Sequence, residues 1–223
     1  MNKCVIPICG SASRIGNIPK FMLPIPEKKS LIKKHIIDVL DSKFKPVIII
    51  TPDYANMIYN YLKKFFDMKE IQIIVNETKT MSETILSIDY HNSVNYSLIM
   101  PDTYLTDNSV LKKMLKVKNE TKCDVVLGIF EIREEQRGKL GQVLFDDNDY
   151  LLDVIDKDKS CTYKWAWGTM LWNSKFSNHI DPTTSHIGYA LKPALKDGLI
   201  IKVVCLKGEY YDCGTKNEYT KLL

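Results

Sequence analysis

Val5-Ile6-Pro7-Ile8, followed by Gly10-Ser11-Ala12-Ser13-Arg14-Ile15-Gly16-Asn17-Ile18-Pro19-Lys20-Phe21-Met22-Leu23-Pro24, decides how the rest of the chain is read. A short run that is apolar at every position, not at every second one, belongs to a strand buried on both faces. Behind it comes a loop of small residues ending in an Arg and a Lys. Such a loop lets backbone N–H groups approach an anionic phosphate while the two cations neutralise its remaining charge. On this segment alone a merely polar connection is an equal reading. It is neither a P-loop, because the GxxxxGK[ST] spacing is missing, nor a GxGxxG fingerprint.

Downstream the pattern repeats. Leu31, Ile32, His35, Ile36, Val39 and Leu40 recur at helical spacing behind Ser30, an expected N-cap. Residues 47–50 form a second apolar run, and Thr51-Pro52 then opens a helix carrying Tyr54, Ile58, Tyr61, Leu62 and Phe65. Further strands are predicted at 71–75, 97–100 and 125–130. Between them lie a helix opened by the capping-box pattern Thr80-Met81-Ser82-Glu83 and one marked by Val110, Leu111, Met114 and Leu115. Continuous apolar strands alternating with helices predict an α/β fold with a doubly wound, mostly parallel, Rossmann-like sheet.

After residue 130 the rhythm changes. Residues 143–145 and 151–155 flank the polar turn Asp146-Asp147-Asn148-Asp149 and read as an antiparallel hairpin. Residues 165–172 alternate like a strand, 187–195 read as helical and 199–206 as a strand. Thr215-Lys216-Asn217-Glu218 is a second capping-box pattern opening a terminal helix. No linker, repeat or low-complexity segment interrupts the chain. One domain over 1–223 is expected, with the change of rhythm dividing it into halves 1–130 and 131–223, which the family resemblance drawn from the motifs below would make nucleotide-binding and acceptor-binding.

Composition narrows the class. The 223 residues are 45% hydrophobic and carry a net charge of +4 from 31 basic and 27 acidic side chains. That balance does not suit nucleic-acid binding. No stretch approaches the ~20 apolar residues of a membrane span, and the N-terminal apolar run is too short for a signal sequence. Six scattered cysteines without a CxxC pair suit a reducing compartment, so a cytoplasmic enzyme is expected. Oligomeric state is not legible.

Two further segments carry candidate chemistry: Met100-Pro101-Asp102-Thr103 after the fourth strand and Tyr210-Tyr211-Asp212-Cys213-Gly214-Thr215 after the last. Acids at strand carboxyl ends point into the crevice where open α/β sheets bind ligands, and two of them suffice for Mg²⁺ against a triphosphate. A lone strand-end Asp, however, more often starts a turn.

Together these segments resemble the nucleoside-diphosphate-sugar pyrophosphorylase (sugar-phosphate nucleotidyltransferase) family over nearly the whole chain. That family's loop reads G-x-G-[ST]-R…P-K-x-[ML], matched here by Gly10, Ser13, Arg14, Pro19, Lys20 and Met22. Its last strand reads W-x-D-x-G-T-x-x-x-Y, and the spacing from Tyr211 to Tyr219 follows it closely. The middle, from Lys139 to Lys157, looks like the family's Y-G-V hairpin and E-K-P.

The resemblance implies Mg²⁺ on Asp102 and Asp212, with Arg14 and Lys20 as the catalytic cations. Nucleotide contacts would come from Gly10, Ser11, Ala12 and Ser13, with Thr80, Met81 and Ser82. It gives Gly141, Asp156, Lys157 and Gly168 to the phosphorylated acceptor. The implied reaction joins a nucleoside triphosphate to a sugar 1-phosphate with loss of pyrophosphate. A cytidylyltransferase for a non-sugar alcohol phosphate and a non-catalytic nucleotide-sugar-binding relative are the alternatives.

Ala12 departs from the second loop glycine, and at positive φ it would cost roughly 1–2 kcal/mol. Asp156 stands where the family has Glu, and no Pro follows Lys157. The short interval from Arg14 to Lys20 is similar to that of N-acetylglucosamine-1-phosphate uridylyltransferases and cytidylyltransferases. Asp156 and Lys157 are adjacent on an extended segment, so both serve one pocket only if the strand breaks there. The four His residues (35, 91, 179 and 186) are too dispersed for a metal site, and Trp165 and Trp167 read as core or pocket wall.

Overall fold

β1 (Lys3–Ile8) is the pivot of a nine-stranded sheet. The computed structural model describes residues 1–9, 14–15 and 18–223. Parallel to β1 run β2 (Lys45–Ile50) on one side and β4 (Tyr96–Ile99) on the other, with β3 (Gln72–Val75) outside β2. The apolar runs are explained by burial on both sides. Cys4, Ile6 and Ile8 pack under α1 (Leu31–Asp41), α2 (Pro52–Leu62) and α4 (Val110–Thr121). Val5, Val47, Ile49 and Leu98 face α3 (Met81–Ile85) and the later helices.

The second half widens this sheet. Beside the short ribbon strand β5 (Thr103–Leu105), the chain adds β6 (Val125–Glu131), β7 (Gly141–Phe145), β8 (Leu151–Asp156), β9 (Trp165–Trp172) and β10 (Ile201–Cys205). β9 is wedged between the two halves. It runs antiparallel to β4 through residues 169–172, to β7 at its start and to β6 along its length. β6 is thus separated from the parallel group, its one parallel neighbour being β10. The fold is α/β with a Rossmann-like core and added antiparallel strands. On the β3-to-β8 path through β1, β4, β9 and β7, the hairpin β7–β8 forms the far edge.

Caps form largely where the sequence places them. Ser30 Oγ accepts from the Lys33 N–H, and Thr80 and Thr215 accept from the N–H groups of Glu83 and Glu218. Neither capping box closes reciprocally. The Glu83 carboxylate accepts from Lys79 N–H at 2.7 Å, while that of Glu218 turns to Arg133 and Lys221. The helix expected at 187–195 begins as a 3₁₀ turn, Ile187–Ala190, before the α-helix Leu191–Lys196. Pro193 explains the change, because it has no N–H to bond the carbonyl one turn back. The six cysteines are free thiols, and no helix among the described residues is long and apolar enough to cross a membrane.

Candidate active site

The pairing of β1 sets up the site. Its ladder with β2 runs to Ile8, but its ladder with β4 ends at Val5 opposite Leu98. The carboxyl ends of β1 and β4 therefore part at the point where strand order reverses, which is where open sheets form their ligand crevice. A cavity of about 450 Å³ lies there, walled by Pro7–Cys9 at the end of β1 and by Met100–Asp102 just after β4. Lys20, Lys79, Thr80 and Met81 add to its lining, with Thr183 and Ser185 from the second half.

Asp102 and Asp212 come together at this mouth. β11 (Tyr210–Asp212) pairs antiparallel with β5, which sets Asp212 opposite Thr103 and so next to Asp102. Both carboxylates border the space beside Gly214. A Cβ there would lie 2.6 Å from Asp212 Oδ1, 2.9 Å from Asp102 Oδ2 and 3.2 Å from Lys20 Nζ. Gly214 N–H donates to Asp212 Oδ1 at 2.9 Å, and Lys20 Nζ stands 3.8 Å from Asp102 Oδ2. Burial, then the neighbouring Asp212 charge, push the Asp102 carboxyl above its ordinary range, and Lys20 offsets this only in part. Two neighbouring acids thus share one lysine at the mouth of the cavity.

The supports of this pair are long-range. Tyr210 stacks on Phe130 with centroids 4.1 Å apart, and its carbonyl accepts from Arg133 (3.3 Å) and Gln136 (3.4 Å). Gly168 lies directly under that stack, where a Cβ would fall 2.7 Å from the Tyr210 ring. Packing of Tyr210 thus explains the glycine at 168, in place of the open pocket contact implied by the resemblance. His35, read from the sequence as core, is buried beneath the Asp102 turn. Burial and then the Lys34 charge lower its pKa to about 3, and the Pro101 carbonyl hydrogen-bonds the ring.

Gly10, Ser11, Ala12 and Ser13 lie outside the described residues, as does the side chain of Arg14. The Arg14–Ile15 backbone pairs with Ile18–Pro19, which leads directly to Lys20. Thr80 and Met81 line the cavity. Their helix start is tied to the second half, as Thr80 Oγ1 donates to the Pro182 carbonyl (2.5 Å) and Ser82 Oγ bonds Thr184 Oγ1 (2.8 Å). The Ser82 hydroxyl is buried and already partnered, so it supports the wall and does not line the cavity.

On the other side, Gly141 and Asp156 are register partners across β7 and β8. Asp156 Oδ2 accepts from His186 Nε2 at 2.6 Å, and His186 Nδ1 accepts from Gly188 N–H at 3.1 Å. Burial of Asp156 is outweighed by that hydrogen bond, with the Lys157 charge and Tyr189 adding, so its carboxyl stays below the ordinary range. β8 ends at Asp156, and Lys157 takes a left-handed φ of 53°. The extended run therefore breaks between the two residues. No sequence signal marked His186, a lone histidine 30 residues from its partner.

A crevice at a sheet's switch point, edged by paired acids and a lysine, is the place where open α/β enzymes bind their ligands. The family profile for nucleotidyl transferases matches residues 10–223, and the chain belongs to that family. No curated protein matches it by sequence. The fold is similar to that of UDP-glucose pyrophosphorylase complexed with UDP-glucose, at 19% identity and a TM-score of 0.78 over 100% of this chain and 97% of that one. HddC from Yersinia pseudotuberculosis matches at 19% identity and 0.72, covering 100% and 98%. The inositol-1-phosphate CTP transferase from T. maritima matches at 18% and 0.74, covering 98% and 91%.

Proposed function

We propose that the protein transfers a nucleotidyl group from a nucleoside triphosphate to the phosphate of a sugar 1-phosphate, with release of pyrophosphate, in a Mg²⁺-dependent reaction. An acceptor phosphate oxygen attacks the α-phosphorus in line. The bond from that phosphorus to the oxygen bridging to the β-phosphate breaks, and pyrophosphate carries the electron pair away. Such a reaction asks the protein mainly to align two polyanions and neutralise their charge.

The convergence of Asp102, Asp212 and Lys20 on Gly214 beside the 450 Å³ cavity carries this reading. The donor set fits Mg²⁺, which takes one or two carboxylates and fills its remaining positions with phosphate oxygens and water. Among the described residues no group of three His, Cys, Asp or Glu side chains offers a fuller cage. Held by Asp102 and Asp212, Mg²⁺ would supply charge neutralisation where the two phosphates meet. Lys20 and Arg14 hold the triphosphate and take up charge as pyrophosphate departs. The 10–13 backbone, Thr80 and Met81 bind the nucleotide, with Ser82 bracing their helix. Gly141, Asp156 and Lys157 bind the acceptor, and Gly168 acts through Tyr210. Residues 1–130 and 131–223 thus serve the two substrates within one domain, Asp212 crossing that division.

The test is pyrophosphate release over a matrix of triphosphates (UTP, dTTP, CTP) and acceptors (glucose 1-phosphate, N-acetylglucosamine 1-phosphate, inositol 1-phosphate, glycerol 3-phosphate). At least one sugar 1-phosphate should give Mg²⁺-dependent release that Asp102→Ala and Asp212→Ala each abolish with folding intact. Turnover confined to glycerol 3-phosphate would replace the sugar with a simple alcohol. Release that is indifferent to Mg²⁺ would remove the metal from the site.

A further inference from the structure

Thr183 and Ser185 of the second half line the 450 Å³ cavity, whose other described walls come from residues 7–102. Thr184, between them, is not part of that lining. Its hydroxyl meets that of Ser82, which is fully buried in α3. Thr184 Oγ1 already donates to the Asp181 carbonyl at 2.8 Å, so in the 2.8 Å contact with Ser82 it is Ser82 that donates. Among the described residues the Ser82 hydroxyl has no other partner. A second tie runs alongside. Thr80 Oγ1 donates to the Pro182 carbonyl at 2.5 Å and accepts from the Glu83 N–H at 3.0 Å, so one hydroxyl both caps α3 and fastens it to segment 181–186.

This segment has little apolar packing of its own. Asp181, Pro182, Thr183 and Ser185 are exposed, and the segment hangs between the buried side chains of Ile180 and Ile187. Hydrogen bonds therefore set its path. Asp181 Oδ1 accepts from the N–H and the hydroxyl of Thr183. At the far end His186 Nε2 donates to Asp156 Oδ2 at 2.6 Å, while its Nδ1 accepts from Gly188 N–H at 3.1 Å. A segment held in this way shifts when one such bond is lost, without unfolding the sheet behind it.

We infer that Thr184 is a positioning residue for the nucleoside triphosphate, holding Thr80 and Met81 at the cavity through Ser82, with His186 anchoring the segment from which it acts. This deepens the proposed function and rests on its placing the nucleotide at Thr80 and Met81. Loss of the Thr184 oxygen strands a buried donor, which α3 can relieve only by moving its start away from the cavity wall. Triphosphate affinity thereby depends on Thr184 and His186, neither of which lines the nucleotide cavity.

The test is calorimetric titration of the full chain with the Mg²⁺ complexes of UTP, dTTP, CTP and GTP, no acceptor being present. For the tightest of these, Thr184→Val should raise Kd about 10-fold, the size of one lost hydrogen bond, and Thr184→Ser should stay within about 2-fold of wild type. Ser82→Ala combined with Thr184→Val should bind no more weakly than Thr184→Val alone, because the pair strands no donor. His186→Asn keeps an acceptor for the Gly188 N–H but cannot reach Asp156, and should raise Kd about 3-fold or more. In turnover, Thr184→Val should raise triphosphate KM in step with Kd, with kcat and acceptor KM within about 2-fold. Rescue by serine and a KM effect without a kcat effect are results that general loosening of the fold does not give.

A triphosphate Kd unchanged in both Thr184→Val and His186→Asn would overturn the inference. So would a Thr184→Ser variant as weak as Thr184→Val, or a fall in kcat at unchanged Kd. If Thr184→Val does not fold, His186→Asn decides by the same titration. Thr184-dependent binding without pyrophosphate release for any acceptor would refute nucleotidyl transfer and leave the positioning role standing. Binding of none of the four triphosphates by wild-type protein would refute both.

Discussion

Gly214→Ala is the most direct way to ask whether the convergence of Asp102, Asp212 and Lys20 is the reaction centre. The new methyl would meet carboxylate oxygens at 2.6 and 2.9 Å and the Lys20 nitrogen at 3.2 Å. Ordinary contact therefore requires each carboxylate to yield by roughly half to one ångström, and a displacement of about 1 Å at a reacting centre costs on the order of 10²-fold in rate. The fold should tolerate the change. Gly214 is not at a positive φ, and the atoms that must move are the ends of side chains, not backbone. Burying one methyl against them costs stability by about 1 kcal/mol, the low end for an added methyl in a packed site. The expected result is a Tm within a few degrees of wild type, kcat lowered about 100-fold, and a Mg²⁺ activation curve moved to higher concentration. Steady-state pyrophosphate release across a Mg²⁺ titration, with a thermal melt on the same sample, measures all three. Wild-type kcat with unchanged Mg²⁺ dependence would refute the reasoning, because the methyl cannot fit unless the two acids have moved from where the reaction is placed.

Two further expectations separate electrostatics from architecture. The Asp102 carboxyl is raised by burial and by Asp212, so between its ordinary pKa and its raised one the folded protein holds a proton that the unfolded chain has lost. Stability should therefore fall as pH rises through that window, and metal-free Asp102→Asn should melt higher than wild type at pH 7, the difference vanishing below the ordinary aspartate range. A lower melting point for the variant at pH 7 would reverse the sign and sink the account. Lys157 occupies a left-handed conformation that costs a non-glycine residue about 1 kcal/mol or more. Lys157→Gly should gain up to about 1 kcal/mol in denaturant unfolding, whereas Lys157→Ala should gain none, and both should raise acceptor KM alike. A KM effect in one variant only would assign the role to the backbone turn and not to the charge.

Much of the architecture was legible because burial on both faces of a strand leaves an unbroken apolar run. β1, β2 and β4 announce themselves that way, and β9 was bounded correctly at 165–172. What periodicity does not encode is the partner. Nothing in Trp165–Trp172 says that it inserts between β4 and β6, since pairing depends on neighbours distant in the chain. The two acids were visible as strand-end residues, but their meeting depends on the ribbon of β5 and β11, three residues each and too short to carry a pattern. A break after Asp156 was expected only if Asp156 and Lys157 serve one pocket. Its form was hidden, because the left-handed residue is a lysine where glycine or asparagine would have signalled it. Ser82 illustrates the opposite limit, a hydroxyl well placed in sequence whose capacity is spent on Thr184, 102 residues away.

The placement of Asp212 ties these observations together. A three-residue strand paired with one neighbour is too short to be stable by itself, so its position must be imposed from outside. Three anchors impose it. Tyr210 stacks on Phe130, and both rings rest against the bare backbone of Gly168, which fixes the strand over the sheet. Arg133 bonds the Tyr210 carbonyl and pairs with Glu218 on the terminal helix Lys216–Leu222, which holds the segment from its far side. The Tyr219 hydroxyl donates to the Pro24 carbonyl at 2.6 Å, while Cys213 packs with Leu23, Ile25 and Leu31. The last contacts matter most for chemistry, because Pro24 lies just beyond the short turn Lys20–Met22 that carries the lysine. The segment bearing Asp212 is therefore fastened both to the widened sheet and to the loop bearing Lys20, and Asp102 stands between them at the end of β4. The spacing of Asp212 and Lys20 is thus set by contacts between segments far apart in the sequence, and under the proposed function the added antiparallel half belongs to the reaction centre.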